Sequence, residues 1–356
     1  MAELLPLLYQ PWIDELLPGG IPDESRATCS ACTMLDSGDA TAPDVPFLPQ
    51  VKCCTYYPEL SNFHVGRVLA DRRPEMFGAR RILEERIKAR IAVTPLYIAP
   101  PPVYQALYTD SALAGPFAFG RSPALRCPHF VELKGQCGMW PHRNAVCSTF
   151  FCKYVRGPRG RAFWRVLQAL LVTLEQSIRS WCVDKLDPSG DLSAAVWVAE
   201  AQKPKALDDQ ALAGTTRPAL YARVWGAWIG REVDFYGKCA ELVGPLALAD
   251  VLAIGGAPAT AAARAVVALH RDLGRSELPP AVARGTHALV QIGRAPGTVR
   301  VRHVSAPHDY VDLPSATLDA ATRLAGRPLA EALAAENVSE ATVRTLLDFD
   351  VLTPAG

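Results

Sequence analysis

The chain lacks any uninterrupted apolar run of the roughly 18 residues that a membrane-spanning helix needs, and its balance of 49% hydrophobic to 21% charged residues is that of an ordinary soluble protein. It also lacks the usual signals of nucleotide-driven or hydrolytic chemistry. No Gly-x-Gly-x-x-Gly follows a strand, and no Walker loop, Gly-x-Ser-x-Gly elbow or His-Glu-x-x-His pair occurs. The first residues, MAELLPLLYQPWIDELLPGG, have no basic leader, carry Glu3 and Asp14, and are cut by Pro6, Pro11 and Pro18. No signal peptide and no membrane association are therefore expected, and the cytoplasm is the expected location. Internal repeats and low-complexity tracts are missing too. What remains is 356 residues, enough for two or three domains with a sizeable core.

Cysteine is the residue that stands out. Ten cysteines are too few for a disulfide-dense scaffold of this length, yet they are clustered. In a reducing compartment clustered cysteines point to metal binding or redox chemistry before bridges or idle buried thiols. Eight fall into two groups: Cys29, Cys32, Cys53 and Cys54, then Cys127, Cys137, Cys147 and Cys152. The Cys29-x-x-Cys32 spacing lets two thiolates converge on one metal through a tight turn. Adjacent Cys53 and Cys54 point to opposite sides of extended backbone, so they suit separate centres, or one of them only packs. Cys182 and Cys239 sit on apolar helical segments and read as core.

Charge is distributed unevenly. Residues 52–165 hold 18 Lys and Arg against 7 Asp and Glu, although the whole chain nets only +1. Four thiolates on Zn²⁺ or on a [4Fe–4S]²⁺ core leave a formal charge of −2, and a basic surround would offset it and favour deprotonated sulfur. Arg126, Lys134, Arg143, Lys153 and Arg156 lie in or beside the second group. The basic residues are interspersed with cysteines and not arrayed with stacking aromatics, so nucleic acid is not expected.

The segment CPHFVELKGQCGMWPHRNAVCSTFFC, residues 127–152, resembles the signature of the YkgJ-type cysteine-cluster proteins, a zinc- or iron-chelating family. Cys127, Cys137, Cys147 and Cys152 match its second half and Arg143 its arginine; Cys29, Cys32, Cys53 and Cys54 match its first half more loosely. The chain departs from the pattern at Asn144, where the family usually has proline, and in the long gap between Cys32 and Cys53. The resemblance implies metal binding, with Arg143 near the bound group. Some members resemble flagellin lysine N-methylases, whose cysteines are thought to carry an iron–sulfur cluster, which implies a peptide- or protein-modifying enzyme as one outcome. An iron–sulfur cluster, [4Fe–4S], is the favoured cofactor, shielded by Trp140, Phe150, Phe151 and Tyr154. Structural zinc, worth on the order of 10 kcal/mol of folding energy, is the alternative.

Periodicity supplies the rest. Helices are expected early in residues 1–50, over 75–92, over 160–183 with an apolar stripe from Phe163 to Trp181, through 219–246, and over 260–273. Residues 99–130 read as a loop-rich connector, and GGAPAT and ELPPAV as punctuation. After residue 296, TVRVRHV and DYVDL alternate as two short strands, followed by three short helices. This tail is similar, through GRPLAEAL and LLDFDVL, to PqqD-like winged-helix elements, a similarity that implies a peptide or protein partner held by strand addition.

The expected fold is therefore mainly α: a loop-rich, metal-bound cysteine domain over 1–160, a helical domain over 161–295 and a small winged-helix-like α+β module over 296–356. His64, His129 and His142 are expected beside the metal, not on it, and Glu232 and Asp234 on a solvated helix face. The favoured activity is iron–sulfur redox chemistry or modification of a peptide or protein; a zinc-stabilised interaction module is the alternative.

Overall fold

A computed structural model of the chain describes residues 5–24, 29–35, 45–113, 118–201, 214–275, 277–304 and 306–355. About 55% of the described residues are helical, with small antiparallel sheets. The protein is thus mainly α with a small α+β part. Two compact units are each assembled from separated stretches. The first takes Met1–Gly20, Phe47–Thr149 and Leu167–Arg264; the second takes Ile21–Pro46, Phe150–Val166 and Ala265–Gly356.

The first unit contains α1 (Gln10–Leu16), β1 (Leu60–Ser61), α2 (Asn62–Ala70), α3 (Phe77–Ala89), β2 (Tyr97–Ile98), α4 (Pro102–Leu113), β3 (Phe130–Val131), β4 (Gln136–Cys137) and α5 (Ala145–Thr149). It also takes residues 167–186 of α6 (Gly157–Leu186), then α7 (Asp191–Ala201), α8 (Pro218–Trp225), α9 (Glu232–Val243) and residues 248–264 of α10 (Leu248–Gly274). On α6 the buried residues Leu167, Leu170, Leu171, Leu174, Ile178 and Cys182 recur at steps of three and four, the stripe visible in the sequence. Helix α2 packs closely on α9: a Cβ on Gly66 would meet the Tyr236 carbonyl oxygen at 1.9 Å, so only glycine permits the approach. Cys182 and Cys239 are fully buried there, and the Cys182 thiol donates to the Cys239 carbonyl at 3.8 Å.

Two sequence expectations change in this unit. The connector 99–130 contains the helix α4, begun by Pro102 at a position where a missing N–H costs nothing. It is pinned by Tyr104, whose hydroxyl donates to the Thr55 carbonyl at 2.8 Å and whose ring stacks on Tyr108 one turn on. The Gly255-Gly256-Ala-Pro258 stretch does not separate elements; it kinks α10 at Gly256, whose φ is +63°. By length and composition alone α10 is long and apolar enough to cross a membrane, and Val251, Ala259, Ala263 and Val266 along it are buried.

The second unit is built on two antiparallel sheets, one of two strands and one of three. Strands β5 (Val282–Arg284), β6 (Ala288–Ile292), β7 (Thr298–His303) and β8 (Ala306–Pro314) precede α11 (Ser315–Leu324), α12 (Leu329–Glu336) and α13 (Glu340–Asp348), and β9 (Leu352–Pro354) returns to pair with β5. The two strands and three helices read from the sequence are all present, and β6 adds a third strand in register Val290↔Val301 while β7 pairs Val301↔Val311. Strand β6 escaped the alternation test because both its faces are largely exposed, including Leu289, Val290 and Ile292. The core joins Val282, Leu324, Leu329, Val343, Leu346 and Leu352. Ser339 caps α13, its hydroxyl accepting from the Thr342 N–H at 3.1 Å.

Candidate metal centre

Five of the eight thiols read as ligands belong to the first unit, and they arrive on four separate segments. Cys53 and Cys54 follow a tight turn in which Lys52 takes φ +49°. The Lys52 ammonium donates to the Gly135 carbonyl at 2.8 Å. Gly135 is left-handed at φ +58°, and a Cβ on it would sit 2.7 Å from that ammonium nitrogen. The contact ties the Cys53–Cys54 turn to the β3–β4 hairpin, whose register places Cys137 opposite Phe130. Cys127 is tied in by its own N–H, which donates to the Cys54 carbonyl at 2.8 Å.

Cys147 enters on α5. The Asn144 side-chain oxygen accepts from the Cys147 N–H at 3.0 Å, and the Ser148 hydroxyl donates to the Asn144 carbonyl at 2.7 Å. Asn144 therefore caps this short helix, which gives a physical reason for asparagine where the resembled pattern has proline. Beneath it, Glu175 accepts the Ala145 N–H at 2.7 Å. The same carboxylate oxygen accepts from the Tyr9 hydroxyl and lies 3.0 Å from His64 Nε2. Burial, then the charge of Glu175, raises the Tyr9 pKa, so its hydroxyl keeps the proton it donates. Sequence reading did not find Glu175, because its partners come from three distant segments. The available signal was a carboxylate one residue beyond Leu174 on the buried stripe of α6.

The thiols sense one another. Cys147 is raised by burial first and then by Cys137 and Cys53, while Arg143 lowers it. Cys127 is raised by burial and then by Cys137 and Cys147, and the backbone N–H of His129 donates to its sulfur. Cys53 is raised by its contact with the Cys54 thiol and then by burial. Thiols crowded in this way stay protonated until a cation enters; a metal reverses the sign of the local field and makes the same crowding favourable. Backbone N–H donation to sulfur is the contact that tunes metal thiolates.

The donor set fits a metal in a second respect. Both ring nitrogens of His129 are buried, two residues from Cys127, and make no hydrogen bond among the described residues. Burial, with Arg86 adding to it, pushes His129 down to about 4, so the ring is neutral and can accept or ligate. His142 differs: its Nε2 lies 2.7 Å from Asp71, whose carboxyl is held well below the usual range chiefly by Arg73. His64 is taken up by Tyr9 and Glu175. Arg143 stacks 3.5 Å over Trp140 and donates to the Cys147 carbonyl at 3.1 Å, bracing the loop that delivers Cys147. Glu232 accepts from the Gly230 N–H at 3.0 Å and Asp234 is an exposed partner of Arg231.

Among the described residues, no three of the cysteine sulfurs lie within 4.8 Å of one another.

Cys29, Cys32 and Cys152 belong to the second unit. Glu24 brings their two segments together: it accepts the Val155 N–H at 2.7 Å and the Trp164 indole N–H at 2.6 Å. Lys153, directly after Cys152, is buried with its ammonium 3.3 Å from the Tyr310 ring centroid. Among the described residues no disulfide joins any of the ten cysteines. No family model matches the chain, and no curated protein or solved structure shows significant similarity to it.

Proposed function

We propose that this chain is a metalloprotein of the cysteine-cluster kind that carries iron–sulfur, one cluster on Cys127, Cys137, Cys147 and one of Cys53 and Cys54, and a second centre that draws on Cys29, Cys32 and Cys152. The observation that carries the reading is the mutual coupling of thiols from four separate segments of the first unit. The N–H donated to Cys127, and the buried His129 ring nitrogens that make no hydrogen bond among the described residues, suit an occupied site. Arg143 would offset thiolate charge at Cys147. When bound, a cluster supplies one-electron chemistry; the protein's own residues fix the ligand segments and exclude water.

The reaction class proposed is redox chemistry on, or modification of, a peptide or protein in a reducing compartment such as the cytoplasm. Support for that substrate class comes from a three-stranded sheet, β6-β7-β8, with the exposed strand β6 at one edge. Such an edge pairs with an extended peptide through main-chain hydrogen bonds, and the outward Leu289, Val290 and Ile292 would read its side chains.

Anaerobic purification of the full chain tests the metal. Brown protein with iron and acid-labile sulfide is the expected result; colourless protein with stoichiometric zinc would transfer the reading to a zinc-stabilised interaction module. Cys147→Ser should remove the metal of the first unit.

A further inference from the structure

Away from the cysteines, in the second unit, three side chains from three elements converge. His287 precedes β6, His303 ends β7, and Asp350 lies in the turn between α13 and β9. One ring nitrogen of each histidine and one carboxylate oxygen of Asp350 all lie within 4.8 Å of one another. The two rings stand 5.6 Å apart at 35°, and His287 Nδ1 is 2.9 Å from Asp350 Oδ2. From this geometry we infer a second kind of metal site, a mononuclear divalent transition-metal site formed by His287, His303 and Asp350, with its open face toward an arginine-lined cavity that takes an oxyanion co-ligand.

Four observations support it. A metal bonded at about 2.0–2.2 Å to imidazole and carboxylate sets its ligand atoms roughly 3 Å apart, close to the spacing already held by His287 and Asp350. Two imidazoles and one carboxylate with coordination positions left over form a donor set suited to iron(II) or zinc(II).

The backbone is shaped around the same residues. Asp350 is left-handed at φ +58°, a conformation that non-glycine residues take in only a few per cent of cases. Gly285 is required beside it, since a Cβ there would meet the Asp350 carbonyl oxygen at 1.7 Å. The ladder between β7 and β8 shifts register between Arg302 and His303, an irregularity of the kind that can re-aim a side chain. Asp350 also accepts the His287 backbone N–H at 3.0 Å, which fixes ligand against ligand.

The cavity of about 490 Å³ beside the three ligands is lined by Arg159, Arg161 and Arg165 from the first turns of α6. Arg159 is paired at 3.8 Å with Asp348 on the same wall, while Arg161 and Arg165 add positive charge that opposes a bare cation, so the arrangement is better balanced when a metal and an anion occupy it together. Arginine forks match carboxylate and phosphate oxygens.

The site is independent of the thiol reading, and cobalt(II) separates the two by spectrum. Thiolate-bound cobalt absorbs intensely in the near ultraviolet through sulfur-to-metal charge transfer; cobalt on imidazole and carboxylate shows only weak visible d–d bands. In an anaerobic titration of the full chain, wild type should take up one cobalt per chain that Asp350→Asn does not, with equal charge-transfer intensity in both. Asparagine tolerates the left-handed backbone, so this variant keeps the fold; His303→Gln, checked by an unchanged melting point, should give the same loss. Equal cobalt uptake by wild type and both variants would overturn the site. On the cobalt-loaded chain, inorganic phosphate or oxalate should shift the d–d bands, the better of the two naming the co-ligand class. Arg161→Gln with Arg165→Gln should weaken that response at least about tenfold without loss of cobalt. Bands indifferent to both anions, or a response unaffected by the arginine variant, would overturn the co-ligand.

Discussion

The carboxylate of Glu24 accepts the backbone N–H of Val155 at 2.7 Å, closing a contact between positions 131 residues apart. It is buried, and desolvation raises its pKa from 4.5 to about 7 against the lowering effect of Val155 and Trp164. The folded protein therefore holds this proton more tightly than the unfolded chain does. Its stabilising effect is complete below about pH 4.5 and is lost as pH rises toward 7. The loss is on the order of 3 kcal/mol, from about 1.4 kcal/mol per pKa unit. Urea unfolding at pH 5 and pH 8 should show a smaller difference for Glu24→Gln than for wild type; an equal difference would refute the assignment.

Asn144→Ala removes the cap of α5 and should lower stability by about 1 kcal/mol. Metal retention during chelator challenge should fall with it, because the cap orients the segment that carries Cys147.

The core and ligand thiols should separate cleanly. Cys182→Ala should lower the melting temperature, at a cost of about 1 kcal/mol, and leave metal per chain unchanged. Cys137→Ser should lower metal per chain.

Gly66→Ala places a methyl group against the Tyr236 carbonyl. The clash lies with backbone on a packed helix, so about 3 kcal/mol or more of stability should be lost, read as a shifted unfolding midpoint.

Arg300 pairs with Asp312 across β7 and β8 at 2.9 Å, and its guanidinium lies 3.8 Å from the Tyr310 ring centroid. Arg300→Met leaves the Asp312 carboxylate without its partner in a largely buried position and should cost roughly 3–5 kcal/mol, measured by denaturant unfolding of the full chain.

Much of the fold was legible locally. The stripe on α6, the alternation in β7 and β8 and the three short helices after Pro314 are periodic signals, and periodicity survives without knowledge of the partner surface. Helix α4 and strand β6 were not legible, the first because its order depends on Tyr104 reaching Thr55, the second because its exposed faces blur the alternation. Of the candidate centre, the sequence singled out the cysteines but not what holds them. Lys52 reaching Gly135, Asn144 capping Cys147 and Glu175 beneath Ala145 are contacts across chain distance, for which no spacing rule exists.

By itself the sequence determined the residue chemistry: eight clustered thiols, six of them in a basic stretch, a mainly α chain and a small α+β tail. Only the tertiary structure decided that Cys53, Cys54, Cys127, Cys137 and Cys147 share one compact unit while Cys29, Cys32 and Cys152 belong to another, and that His287, His303 and Asp350 meet at all. Ligand type and local periodicity are written residue by residue along the chain. Convergence is set by long-range packing, by glycines such as Gly66 and Gly285 that let backbones approach, and by buried groups that must find partners wherever the fold brings them.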